Sequence, residues 1–365
     1  MNIFIRTTIA PYRIDTYNAL HERLKMKMCF YNRAGGPQSF DPGALEEQCR
    51  FKPVYLKGIT IGHRDSRKIC FGIWKMLRKE KPEIVIVPEF QFCTIQVLLF
   101  RWLTRRKFKV VSMTDDSFDM VAGGNDFTKL HGKLRRRLPT KLDELIVVSP
   151  EVENWYREQY GKGIWLPIIL DDKRMEAYYS QLLPESRRIA EQFGLQGKKV
   201  LLYVGRLVEL KNLSRVLEAF DKCRSDATFV IVGDGPERET LERQAKTMTK
   251  PILFTGRFEG DSLYAWYNIS SALVLASYQE AFGAVTGEAL LAGNRVIVSK
   301  KCGSSCLVSK DNGQLVDPFD VDGIASAIDC QMELTEVPDL LSSRDSLMPV
   351  SFDERIGNLV NRLKS

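Results

Sequence analysis

The sequence predicts an α/β protein made of two doubly wound parallel sheets, and three observations carry that expectation. Short apolar runs of strand length alternate with longer helical patterns through residues 1–165, the rhythm of strands joined by crossover helices. The same rhythm restarts at Val200 after a polar, charged span, Asp171–Arg188, which is the expected interdomain connection. At 365 residues, 44% apolar and 27% charged, the chain has an ordinary globular balance and exceeds what one hydrophobic core usually serves.

In the first half the strand-like runs are Ile3–Thr7, Met28–Tyr31, Pro53–Leu56, Ile84–Pro88, Val110–Met113 and Leu145–Val148, with Trp165–Ile168 as a last strand and exit. Sheets of this kind bind ligands outside the carboxyl ends of their strands. That nominates Thr7–Arg13, Glu89–Phe92, Thr114–Ser117 and Pro150–Glu151. Arg13 is a candidate for contact with a phosphate or an acceptor, against a solvated surface arginine beside Pro11. Asp115 and Asp116 are candidates to steady an acceptor hydroxyl, against a local capping role.

In the second half the elements are Val200–Val204, Leu213–Cys223, Thr228–Val232, Glu237–Met248, Ile252–Thr255, Ser262–Ile269, Leu273–Ala276, Val285–Leu291 and Val296–Ser299. Ser351-Phe-Asp-Glu354 is a capping-box pattern, and Ile356, Leu359, Val360 and Leu363 continue it as an amphipathic helix. The expected division is residues 1–170 as a first Rossmann-like domain, 171–345 as a second and 346–365 as a C-terminal helix.

Charge is unevenly spread. Residues 1–165 hold 29 Lys+Arg against 18 Asp+Glu, a net +11, while residues 166–365 hold 24 against 28, a net −4. The first half therefore offers a surface to anionic partners. Its basic runs are Arg101–Lys109 (Arg101, Arg105, Arg106, Lys107, Lys109) and Lys129–Lys141 (Lys129, Lys133, Arg135, Arg136, Arg137, Lys141), with Trp74, Leu77 and Trp102 in nearby apolar stretches. Solvated faces are one account of such runs; an anionic membrane surface is the other. RNA-binding aromatic spacing and zinc-finger ligand spacing are absent from the sequence, which disfavours nucleic acid. No signal peptide is expected, and the apolar run Thr94–Leu103 is too short to span a bilayer. Eight scattered cysteines without a CxxC pair, and three histidines (His21, His63, His131), read as reduced thiols and no metal site, pointing to the cytoplasm. Asp320-Val-Asp322 has an Asp-x-Asp spacing but follows a turn, Asn312–Pro318, ahead of a helix.

Three motifs in the second half carry chemistry. After the strand Val200–Val204 comes Gly205-Arg206-Leu-Val-Glu-Leu-Lys211-Asn212, whose two cations can converge on one anion. After Thr228–Val232 comes Gly233-Asp234-Gly235-Pro236. The third, Ala276–Gly293, joins a buried strand to a helix, with Glu280 ahead of it and Glu288 two turns inside. The amides of Phe282, Gly283 and Ala284 at that helix start have no partners within it and form an anion site.

Spanning residues 198 to about 330, this ordered series resembles the retaining family-four (group 1) glycosyltransferases of the GT-B fold, of the bacterial surface-polysaccharide type. The resemblance implies two Rossmann-like domains facing a cleft, with the C-terminal helix crossing back to the first. It implies that Arg206 and Lys211 bind the donor diphosphate, that Glu280 binds sugar hydroxyls without acting as a nucleophile, and that Glu288 holds the ribose. Gly205, Gly233 and Gly235 then shape the donor loops, Phe282, Gly283 and Ala284 line the phosphate site, and neither metal nor cofactor is required. Relatives carry a Gly-Gly in the first loop and a histidine beside the donor sugar. Here Ala10-Pro11-Tyr12-Arg13 and Thr114-Asp115-Asp116 stand in those places, which bears on sugar preference.

The implied function is transfer of a sugar from a nucleotide diphosphate sugar to an acceptor hydroxyl, on a glycan or lipid-linked oligosaccharide in surface polysaccharide synthesis. An epimerase of the same architecture and a non-catalytic nucleotide-sugar-binding subunit are the alternatives.

Overall fold

A computed structural model describes residues 1–33, 41–61, 67–123 and 129–365, without the side chains of 129–131. His63 and the side chains of Lys129 and His131 thus lie outside the described residues. The chain divides into two compact units, Met1–Ile168 together with Asp353–Ser365, and Ile169–Phe352.

The first unit contains strands β1 (Asn2–Arg6), β2 (Met26–Phe30), β3 (Val54–Tyr55), β4 (Gly58–Thr60), β5 (Lys68–Cys70), β6 (Ile84–Pro88), β7 (Lys109–Met113), β8 (Glu144–Val147) and β9 (Ile164–Trp165). Its helices are α1 (Ile14–Leu24), α2 (Pro42–Glu47), α3 (Ile73–Glu80), α4 (Phe92–Thr104), α5 (Phe118–Gly123), α6 (Lys129–Arg137) and α7 (Pro150–Tyr160). Seven strands form one parallel sheet in the order β3-β2-β1-β6-β7-β8-β9. Both faces of such a sheet are covered, so β6 is buried from end to end and reads as a continuous apolar run rather than an alternating one. The antiparallel pair β4–β5 stands apart from this sheet and is absent from the sequence-based expectation.

The second unit begins with α8 (Asp172–Gln181) and α9 (Leu183–Gln192). The span expected to be a connection is therefore mostly helical. Met175, Tyr179, Leu183 and Ile189 are spaced to share a buried side, while the charged residues between them face water. Asp171 caps α8 by accepting from the Arg174 amide at 3.1 Å. Strands β10 (Val200–Val204), β11 (Thr228–Val232), β12 (Ile252–Gly256), β13 (Ala272–Leu275), β14 (Arg295–Ser299) and β15 (Gly313–Val316) form a parallel sheet ordered β12-β11-β10-β13-β14-β15. Around it lie α10 (Leu213–Lys222), α11 (Arg238–Ala245), α12 (Gly260–Ile269), α13 (Ala284–Leu291) and α14 (Val321–Glu333). The last helix, α15 (Phe352–Lys364), belongs from Asp353 onward to the first unit. There Lys109 Nζ donates to the Leu363 carbonyl at 3.1 Å, Arg362 pairs with Glu144 at 3.2 Å, and Arg355 lies 4.0 Å from the centre of the Trp165 ring.

Each sheet reverses its strand order once, between β1 and β6 in the first unit and between β10 and β13 in the second. Crossovers diverge to opposite faces at such a point, leaving a crevice at the carboxyl ends of the two strands.

Candidate active site

At the reversal point of the second unit, β10 ends at Val204 and β13 at Leu275, and the loops that follow them carry the candidate residues. Lys211 ends a short 3-10 turn, Glu209–Lys211, and its ammonium forms an ion pair with the Glu280 carboxylate. Both side chains keep about a fifth of their surface exposed, so the pair lines an open face rather than the core. Burial pushes the Lys211 ammonium below its usual pKa, and the neighbouring Arg206 charge adds to that. Arg206 itself is exposed.

Asn212 explains why the motif continues past the lysine. It is buried in a left-handed conformation, φ 61°, and its amide donates to the Ala276 and Pro318 carbonyls at 3.0 and 2.7 Å. One side chain thus clips the Lys211 loop to the end of β13 and to the segment after β15. The Tyr278 amide adds a second tie by donating to the Leu210 carbonyl at 3.0 Å.

The Glu280 loop is held from its other side by the segment after β14. Glu280 pairs with Cys302 in a short parallel bridge, and the Ser304 amide donates to the Phe282 carbonyl at 2.7 Å. Burial pushes the Cys302 thiol up to about 12, so it faces Lys211 as a neutral group. Gly283 precedes α13 with φ 90°, where a Cβ would meet Leu275 at 2.6 Å. Only glycine fits both the turn and the space. Ala284 opens the helix and Phe282 is buried, which leaves backbone as what this turn presents. Gly233 has a similar cause: a Cβ there would lie 1.8 Å from the Gly205 carbonyl oxygen. Gly235 packs as closely on Leu207, so the two glycine loops fit one against the other.

Glu288 lies inside α13, buried. The Tyr267 hydroxyl donates to its Oε2 at 2.6 Å and the Tyr264 hydroxyl reaches Oε1 at 3.4 Å. Burial raises its pKa and the two tyrosines partly offset that. A carboxylate has about four acceptor positions, so two phenols leave room for further donors. These tyrosines are absent from the sequence-based site, although their three-residue spacing on α12 places both on one helix face.

Asp320 and Asp322 have ordinary partners. Asp320 caps α14 by accepting from the Gly323 amide at 2.9 Å, and Asp322 pairs with Lys222 at 3.2 Å. Among the described residues no group of three or more His, Cys, Asp or Glu side chains is placed to hold a metal ion.

In the first unit the reversal point gathers Arg6, Arg13, Glu89, Asp115 and Asp116. Arg13 is not a surface residue: it is 1% exposed, and its Nη2 donates to Asp115 Oδ1 at 2.5 Å. Arg6 donates to Asp115 Oδ2 and to the Met113 carbonyl, both at 2.7 Å. Burial raises the Asp115 carboxyl, but Arg13 and Arg6 more than offset it and hold the group below its usual range. Asp116 is buried and paired with Arg135. Arg135 therefore leaves the solvent-facing basic run in which the sequence places it. Trp74 is half-buried too, packed on Phe100 and donating to the Gln96 carbonyl at 3.0 Å, and Leu77 is fully buried. Glu89, beside these pairs, has its carboxyl raised by burial and by the charges of Asp116 and Asp115.

The family model for glycosyl transferases group 1 matches residues 185–344, which contain every second-unit motif described above. Residues 185–344 are thus similar to a group 1 glycosyltransferase domain. An uncharacterized glycosyltransferase of Methanocaldococcus jannaschii is 34% identical over 137 residues, 36% of this chain and 35% of the relative. The 2-deoxystreptamine N-acetyl-D-glucosaminyltransferase of Niallia circulans is 29% identical over 187 residues, 43% of this chain and 48% of the relative. The matched stretch thus spans a third to a half of these relatives' length. Among solved structures, Anabaena HepE in complex with UDP superposes with a TM-score of 0.70 at 16% identity, covering 100% of this chain and 94% of that one. The lipopolysaccharide outer core galactosyltransferase WaaB gives 0.67 at 17% identity, covering 100% and 95%. At such identities the likeness shows the fold, which is GT-B: two parallel-sheet, Rossmann-like units.

Proposed function

We propose that this chain is a group 1 glycosyltransferase that transfers a sugar from a nucleotide diphosphate sugar to an acceptor hydroxyl, with retention of configuration and without a metal ion. The observation that carries the proposal is the meeting of Arg206, Lys211, Glu280 and the start of α13 at the reversal point of the second sheet. The diphosphate takes the amides around Gly283 and the two cations. It competes with Glu280 for Lys211, and the freed carboxylate accepts hydroxyls of the sugar. As the sugar–phosphate bond breaks, negative charge grows on the leaving phosphate, where preorganised cations lower a barrier most. Arg206 and Lys211 supply that charge without a metal. The acceptor attacks on the face that the phosphate leaves, the phosphate takes its proton, and retention follows.

Glu288, oriented by Tyr267 and Tyr264, holds the ribose hydroxyls. The UDP complex of HepE favours a nucleotide ligand, and because the named relatives are transferases the epimerase alternative is not carried further. In the first unit Asp115 is the acceptor-side group that keeps some exposure, with Arg13 and Asp116 behind it. The acceptor we propose is a glycan or lipid-linked oligosaccharide of surface polysaccharide synthesis. The chain is 30% identical over 141 residues to a Bacillus subtilis protein named a putative teichuronic acid biosynthesis glycosyltransferase, which favours such an acceptor.

A donor panel reading nucleotide diphosphate release tests the proposal. Release with one donor class, retained anomeric configuration in the product and undiminished turnover in excess EDTA are expected. Loss in EDTA that magnesium or manganese restores overturns the metal-free mechanism. Tight donor binding without turnover against any acceptor class favours the non-catalytic subunit.

A further inference from the structure

We propose that the first unit docks on an anionic lipid surface through the outward face of the β4–β5 ribbon and the exposed end of α4. The inference is independent of the donor chemistry. It begins with strand register. Ile59 stands opposite Ile69, the Ile61 amide donates to the Arg67 carbonyl at 3.2 Å, and the Phe71 amide donates to the Lys57 carbonyl at 2.7 Å. Side chains alternate along a strand, so Lys57, Ile59, Ile61, Arg67, Ile69 and Phe71 share one face. The other face is the inward one: Cys70 is buried there, and Lys68 reaches the Asn32 side chain at 3.0 Å.

The outward face is apolar and open to solvent. Ile59 is 61% exposed and Phe71 52%, with Ile61 and Ile69 also exposed. Helix α4 lies along β5, because the Gln96 side chain accepts from the Cys70 amide at 3.0 Å and donates to its carbonyl at 3.1 Å. One and two turns beyond Gln96 the helix carries Leu99, Trp102 and Leu103, all exposed, Trp102 at 73%. A soluble domain rarely leaves this many large apolar side chains together on neighbouring elements without a partner for them.

Charge selects the partner. Segments 57–81 and 101–109, which hold or border these residues, contain thirteen Lys and Arg against two acidic residues, Asp65 and Glu80. Of the cations Lys57, Lys75, Arg78, Lys79, Arg105 and Lys107 are exposed. A second copy of the chain would bring this cationic set against itself. An anionic bilayer satisfies both parts at once, cations at the headgroups and Trp102, Ile59 and Phe71 at the acyl boundary, the two-signal arrangement that holds a peripheral protein. No described helix is long and apolar enough to cross a membrane.

The test uses the full chain, vesicles of phosphatidylcholine with or without phosphatidylserine, and sedimentation at low and high salt. Wild type is expected to sediment with the acidic vesicles, to stay in the supernatant with neutral ones, and to be released as salt shortens the Debye length from ~10 Å at 0.1 M to ~3 Å at 1 M. The pairs Trp102→Ser with Leu103→Ser, and Ile59→Ser with Phe71→Ser, replace exposed side chains and should each lower vesicle partition at least tenfold at unchanged melting temperature. Wild type that ignores acidic vesicles at low salt overturns the proposal, as does undiminished binding of both pairs. Light scattering on the same proteins addresses self-association: a wild-type dimer that both pairs abolish, without vesicle binding, assigns this face to a second copy and also overturns it.

Discussion

The two units place charged groups at the same point of the same kind of sheet and use them differently. At the reversal point of the second unit, Lys211 and Glu280 are partly exposed and paired to each other across two loops, with Arg206 exposed beside them. At that of the first unit, Arg13, Arg6 and Asp115, and then Arg135 and Asp116, form ion pairs that are mostly buried. A pair with both side chains about a fifth exposed exchanges partners at less cost than one sealed from water, because water and a ligand's charges replace part of what is given up. A buried pair cannot, because removing either partner leaves an uncompensated charge in a poorly solvated place. Topology thus fixes where charged loops gather, and depth sets how freely each charge can change partners.

The largest expected effect is on the buried side of this comparison. Arg135→Ala should destabilise the protein by about 3–5 kcal/mol, since it strands Asp116. Denaturant unfolding measures it, and a loss within ~0.5 kcal/mol, the range of ordinary surface substitutions, would erase the contrast between the units. On the exposed side, Lys211→Ala and Glu280→Gln should each cut turnover more than tenfold, over ~1.4 kcal/mol of transition-state stabilisation, with little change in melting. Turnover above about a tenth of wild type in both would sink the site. Tyr267→Phe is intermediate, because it removes one phenol from a buried carboxylate: a stability loss of about 1 kcal/mol is expected with a raised donor KM. An unchanged KM would separate Glu288 from the ribose.

A further effect is one of pH. Glu89 has a raised pKa in the folded chain, so between its unfolded and folded values the native state binds more protons than the unfolded one. Its contribution is complete below the unfolded carboxylate value and is lost as pH rises through the folded value. Stability should therefore decline with pH across that window. Glu89→Gln should flatten the decline, and an equal slope in the variant would show that Glu89 does not carry it.

The sequence by itself determined most of the second sheet and its motifs, although Gly313–Val316, read as part of a turn, is the edge strand β15. β10, β11 and β14 fall where continuous apolar runs place them, and Arg206, Lys211 and Glu280 follow strands whose length and burial are local properties of the pattern. The amphipathic helix at residues 352–364 was legible for the same reason, as helical periodicity is written within a few turns. Tertiary structure decided what depends on neighbours distant in the chain. Arg135 looks like one of three surface arginines until α6 sets it against Asp116, and Arg13 looks solvated until β7 brings Asp115 to it. Asn212 appears only as the residue after a lysine, although its amide holds three segments together. The β4–β5 ribbon is likewise too short to announce itself, yet its register puts four apolar side chains on one face. Burial and pairing are set by contacts across the fold, and no local spacing encodes the desolvation that gives a charge its role.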